Sequence, residues 1–172
     1  MQQRNDPYSD PVTAPTAVPG AEERSGPALR GAREVLARIA ADEAEADSAR
    51  ASYERHGLPS IEPDGAIRPQ LGDDERVHVI RSSALLNRHE GVGIAGDPGM
   101  AEAGGTLYLT SSRLVHIGQA AFSVLLESLD EISIVGERLL LTLSNGEGLS
   151  IDVAEPRLLR VQIGMARKAA HQ

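Results

Sequence analysis

Gly91-Val92-Gly93-Ile94-Ala95-Gly96 matches the dinucleotide-binding fingerprint letter for letter. That fingerprint works when a helix N-terminus follows it and turns its free N–H groups toward the pyrophosphate. Here Asp97-Pro98-Gly99 follows and stops any helix, so the stretch reads as a surface loop and no nucleotide cofactor is expected. The five histidines, His56, His78, His89, His116 and His171, show no His-x-His or His-Glu-x-x-His spacing that would set two ligands on one metal. Neither a metal nor any other cofactor is therefore expected. Asp73-Asp74-Glu75 reads as a solvated acidic start to a strand. Ser111 and Ser112 lack the Gly-x-Ser-x-Gly elbow of a hydrolase nucleophile and read as turn residues. With no catalytic constellation, the chain is expected not to be an enzyme.

What remains is a row of cations near the C-terminus, Arg157, Arg160, Arg167 and Lys168, with Arg88 as an outlying member. Two ligands suit such a row. A complementary acidic protein is the first. The alternative is an anionic lipid surface, where each cation contributes about 1 kcal/mol and four give roughly 4 kcal/mol, about millimolar affinity. Protein binding is the stronger expectation.

Charge and composition narrow the partners. The 172 residues carry a formal charge of −8 and no cysteine or tryptophan. Residues 1–59 hold 7 arginines against 10 acidic residues, and residues 60–172 hold 10 basic against 15 acidic, so both parts are acidic. A negative field repels phosphate backbones, and four aromatic residues (Tyr8, Tyr53, Tyr108, Phe122) offer few stacking platforms, so nucleic acid is not expected. The opening MQQRNDPYSDPVTAP has no basic head and apolar stretch, and no run of about 18 apolar residues occurs, so a soluble cytoplasmic protein is expected.

The elements that would carry these residues follow from periodicity. Residues 1–28 are a proline-rich segment, with Pro7, Pro11, Pro15 and Pro19 spaced by four, and read as a disordered tail. Residues 29–56 form an Ala, Glu, Asp and Arg-rich helix stopped by Gly57 and Pro59. Its apolar stripe, Leu29, Ala32, Leu36, Ile39 and Ala40, gives out after residue 41, so its grip on a partner is placed at that first end. Self-association through this helix would make a homo-oligomer. Residues 57–74, with Pro59, Pro63, Pro69, Gly65 and Gly72, read as a linker, and the domain is expected to fill 75–172.

Within that domain short runs of Val, Ile, Leu and Thr alternate with turn signals, predicting strands near 76–86, 106–110, 113–117, 122–125, 131–135, 138–144 and 149–153. Asn145-Gly146 supplies the positive φ of a tight hairpin between the last two. After Val153 the period changes from two to 3.6, and Pro156 sits at a first helical position with Arg167 and Lys168 in the last turn. Leu158, Leu159, Ile163 and Met165 are expected to plug one end of a barrel.

Gly105-Thr106-Leu107-Tyr108-Leu109-Thr110-Ser111-Ser112-Arg113-Leu114, followed by further strands and one terminal helix, resembles the Gly-x-Leu-x-x-Thr-x-x-Arg-Leu hairpin of GRAM-type domains in the pleckstrin-homology-like superfold. The resemblance covers about residues 71–170. It implies a mainly β fold, a seven-stranded antiparallel split barrel capped by a C-terminal helix, here preceded by a disordered tail and an N-terminal helix. It also implies a binding or adaptor role for protein, peptide or phosphoinositide rather than catalysis. The loop that would hold a phosphoinositide, residues 89–104, has only Arg88 and His89 as basic flanks.

Overall fold

Alternation of apolar and polar side chains over 122–125, 138–143 and 149–153 predicts strands with one face in and one face out, and that is the observed arrangement there; over 129–135 only Leu129 is buried. The structure, a computed structural model, describes residues 27–90, 103–119 and 121–171, without the side chains of 27–30, 85–90 and 103. Residues 1–26 of the Pro-rich segment and the Gly91–Gly96 stretch lie outside the described residues, while Pro27 and Ala28 belong to the first helix. Helix α1 spans Pro27–His56; strands β1 to β7 span Val77–Glu90, Ala103–Thr110, Arg113–Gly118, Phe122–Leu125, Leu129–Val135, Arg138–Leu143 and Glu147–Val153; helix α2 spans Pro156–Ala170. Val35–Gln172 form one compact unit.

The seven strands make one antiparallel sheet in the order β4-β3-β2-β1-β7-β6-β5. β1 is the common member. It pairs with β2 from Val77 to Leu85 and with β7 from Ser83 to Glu90, with register shifts between Val77 and Val79 and between Leu85 and Asn87. Such irregularities bend and twist a strand, which lets one strand serve both halves of a curled sheet. A 3-10 turn, Leu126–Ser128, joins the edges β4 and β5. One apolar cluster takes residues from all seven strands, among them Val79, Leu109, Leu114, Val124, Leu129, Leu141 and Ile151, so the sheet closes around a single interior as a split barrel.

Leu159, Ile163 and Ala166 of α2 complete that interior. Burying each of the two large ones contributes roughly 1.5–3 kcal/mol, which is why the barrel end is closed by this helix. Leu158 and Met165, expected in the same plug, instead face the other way with Val161 and meet Ala46, Ala49 and Tyr53 of α1. The apolar stripe of α2 is broad enough to serve two neighbours.

Residues 57–74 are not a linker. Ile61 bridges Val77, and Ile67 is 0% exposed in a second cluster with Val77, Tyr108 and Val115, on the opposite face of the sheet from the barrel interior. Asp64 secures the segment by accepting the Ala66 and Ile67 N–H groups and the Tyr108 hydroxyl, at 2.9, 3.1 and 2.9 Å. Prolines and glycines here shape a strap that covers the outer face of β1, β2 and β3; the composition is that of a spacer, but single apolar residues fix it in place. The domain therefore begins well before residue 75.

Replacing Ile67 with Ala is expected to lower stability by about 2–5 kcal/mol, the cost of emptying a fully buried site. Urea unfolding measures it, and a loss below about 0.5 kcal/mol would return 57–74 to the status of a spacer.

Candidate functional site

The hairpin Thr110-Ser111-Ser112-Arg113 holds the chemistry-bearing side chains of the first half of the domain; Thr110, Ser112 and Arg113 turn on Glu75, and Ser111 Oγ accepts the Arg76 N–H at 3.2 Å. Arg113 donates from Nε and Nη2 to the two oxygens of Glu75, each at 2.8 Å. Thr110 and Ser112 hydroxyls donate to Oε1, and the Gly72 N–H donates to Oε2. Arg113 also donates to the Gln70 carbonyl. Glu75 is thus no solvated strand edge: its side chain is 9% exposed and joins the 68–75 segment to the β2–β3 turn. Burial alone would raise its pKa, but the donors from Arg113, Thr110, Gly72 and Ser112 outweigh it and hold the carboxyl down from the usual 4.5 to about 2.

Gly105 completes the motif by sterics. A Cβ there would sit 2.5 Å from the Ile117 carbonyl and 2.7 Å from the His116 ring, so only glycine allows β2 and β3 to approach this closely. His116 itself is buried and stacks on Phe122 with ring centroids 5.4 Å apart. His78 sits on β1 and contacts the Pro59 carbonyl at 2.8 Å. Neither stands with two further metal-ligating side chains; among the described residues no group of three His, Cys, Asp or Glu forms.

The second polar centre is the start of α2. Pro156 has no N–H, and the N-cap residue, Glu155, takes the left-handed conformation at φ 52° and gives no side-chain cap. The first available N–H groups, of Arg157 and Leu158, are bound by Asp42 of α1, at 2.9 and 3.0 Å. A carboxylate placed there satisfies two orphan donors and meets the positive end of the helix dipole. Arg81 of β1 reaches the same place, pairing with Glu155 at 3.0 Å and donating to the Ala154 carbonyl and Gln162 Oε1. Gln162 in turn donates to the Tyr53 hydroxyl at 3.2 Å, so α1, α2 and β1 are tied by one chain of polar contacts.

The cationic row is divided by this arrangement. The Arg157 side chain is 20% exposed; it lies 3.7 Å from Asp42 and donates to the Gly136 carbonyl at 3.3 Å. Arg160 and Lys168 are exposed and Arg167 is half-buried beside the 3-10 turn at Leu126 and Glu127. Arg88 stands on β1 opposite Leu149, and its side chain lies outside the described residues. Arg160 and Lys168 are what the row presents to solvent in full.

The grip of α1 is the reverse of the periodicity expectation. Leu36 is 65% exposed, whereas Asp42, Ala46, Ala49 and Tyr53, beyond the stripe, contact α2. A single carboxylate that finds backbone N–H groups 115 residues away decides the placement, and no local pattern registers such a pair. Arg38 adds a two-point pair to Glu137 in the turn between β5 and β6, at 2.9 and 3.2 Å. Between these contacts a cleft of about 430 Å³ opens, floored by Ile39, Val153 and Pro156 and rimmed by Arg38, Glu45 and Asp152. Its polar lining is five carboxylates, Asp42, Glu45, Glu137, Asp152 and Glu155, with Arg38 and Arg157 among them.

No protein-family model and no curated protein matches the chain. Among solved structures it is similar to the C-terminal domain of an unknown protein from Leishmania infantum, at 15% identity and a TM-score of 0.44, over 58% of this chain and 95% of that one. No described helix is long and apolar enough to cross a membrane.

The depressed Glu75 pKa fixes a pH dependence. Because the carboxyl titrates lower in the folded chain than in the unfolded one, its stabilisation is complete above about pH 4.5 and disappears as pH falls toward 2. The difference is worth about 3 kcal/mol. Urea midpoints measured from pH 7 to pH 2 should show Glu75→Gln well below the wild type at pH 7 and converging on it at pH 2. Parallel curves would remove Glu75 as the titrating group.

Proposed function

We propose that the chain is a non-catalytic, GRAM-like interaction module that binds a protein partner, and that the flank of α2 away from the barrel is the binding surface. One observation carries this: the barrel and its plug are complete without α1, yet the outer side of α2 holds a helix, through Leu158, Val161 and Met165 and the Asp42 cap. A face that docks one helix has the chemistry to dock another: an apolar stripe, backbone donors at its end that a carboxylate caps and cations along its border.

Three further points support it. The Thr110, Ser112 and Arg113 side chains at the β2–β3 turn are engaged with Glu75 and the Ser111 hydroxyl with the Arg76 N–H, so they maintain the scaffold. Strand number, antiparallel order and the terminal helix are those a GRAM-like barrel requires. The anionic-lipid alternative loses Arg157 to Asp42 and Gly136. Three cations offer only about 3 kcal/mol at a charged bilayer, weaker than millimolar.

The test uses the full chain carrying a photo-activatable residue at Met165, which lies at the α2 flank, and a control with that residue at Leu125, which is exposed on β4. Crosslinking of a discrete protein from Met165 and not from Leu125, reduced severalfold by Arg160→Glu, is the expected result. Equal labelling from both positions, or turnover of a substrate with no crosslinked protein, would overturn it.

A further inference from the structure

We propose that α1 is a detachable strap that covers the outer face of α2 in cis, and that the trans ligand of this face is an acidic amphipathic helix of a partner protein. The inference rests on the interaction-module proposal for the existence of a partner; the strap itself is argued from the seam between the two helices.

The α1 side of the seam is built mostly of small side chains. Against Leu158, Val161 and Met165, α1 sets two alanines, Ala46 and Ala49, and one large side chain, Tyr53. A groove of about 250 Å³, lined by Arg50, Glu54, Arg160, Val161, Gly164 and Met165, runs along one part of it, and the 430 Å³ cleft opens beside another. Alanines bury little apolar area each, so the polar anchors, Asp42 on the α2 N–H groups, Arg38 on Glu137 and the Tyr53 hydroxyl on Gln162, carry a large share of what holds α1. Two of these lie outside the apolar patch. The anchor between Arg38 and Glu137 is exposed at both ends, the kind of pair that contributes little.

Charge identifies the occupant. Between residues 42 and 54, α1 carries Asp42, Glu43, Glu45, Asp47 and Glu54 against Arg50 alone, while the α2 border presents Arg160 and Lys168. Thus α1 is an acidic helix on a cationic flank. A partner helix with an acidic residue at the capping point and Leu or Met in place of Ala46 and Ala49 would keep the cap, fill the groove and bury more apolar surface than α1 does. What α1 has instead is its tether. Gly57, at φ 74°, ends the helix, Leu58 then packs on the barrel core and the Ile61 backbone bridges Val77, so α1 pivots over a short connection and competes at high effective concentration.

The test is a full-length Asp42→Ala/Ala46→Glu variant, in which the cap is gone and a carboxylate stands where α1 meets Leu158 and Val161. Hydrogen exchange should show amides of residues 42–54 losing protection while β2, β3 and β6 keep theirs, which verifies that the barrel survives. A fluorescent peptide with the sequence of residues 38–56, carrying Leu in place of Ala46 and Ala49, is then titrated into variant and wild type. Binding at least tenfold tighter to the variant, weakened by Arg160→Glu, is the expected result. A folded variant that binds no peptide, or equal affinity for both chains, would overturn the strap while leaving crosslinking from Met165 as a separate measure of the interaction module. Should the double variant unfold, Asp42→Ala alone takes its place with the same two outcomes.

Discussion

The start of α2 is the point on which the remaining architecture turns. A helix that begins with proline and whose N-cap residue, Glu155, bends into the left-handed region has no local means of binding its first N–H groups. Left bare, two buried donors would cost on the order of 1–3 kcal/mol each. Asp42 removes that cost from a different helix, and Arg81 steadies the bend from β1. One junction thereby fixes where α1 lies, how α2 enters the barrel mouth and which cations of the row remain at the surface. The apolar plug supplies most of the favourable free energy, but the junction sets the geometry.

A second polar centre does the same for the other half. Glu75 gathers the 68–75 segment and the β2–β3 turn, and Asp64 gathers the covering strap and Tyr108. Glu75 exchanges water for several donors and so is stabilising only as a complete set, whereas Asp64 makes its contacts from an exposed position. Loss of Arg113 would leave a buried carboxylate short of its main partner, a heavier loss than that of an exposed pair.

The periodic part of this architecture was legible in the residues. Leu139, Leu141 and Leu143 alternate inward, Asn145-Gly146 turns the chain, and Pro156 opens the helix, because these are local properties of backbone and side chain. Asp42, Glu75 and Ile67 were not legible, since each acts through one contact to a distant part of the chain and leaves no repeating trace. The residues 57–74 show the limit plainly: their prolines and glycines describe local stiffness and turning, while Ile67 alone decides that the segment is packed. The cationic row was visible as a row, yet its division into Arg157 on one side and Arg160 with Lys168 on the other depends on where α1 lies.

The double pairing of β1 bears on how this chain can change over time. Ser83, Ala84 and Leu85 have neighbours on both sides, Gly105, Gly104 and Ala103 in β2 and Val153, Asp152 and Ile151 in β7. Removing β1 takes away the middle of the sheet and parts β4-β3-β2 from β7-β6-β5. The stretch from β1 to β7 is consequently one pairing unit held through β1, whereas exchange of α1 leaves every strand pairing untouched.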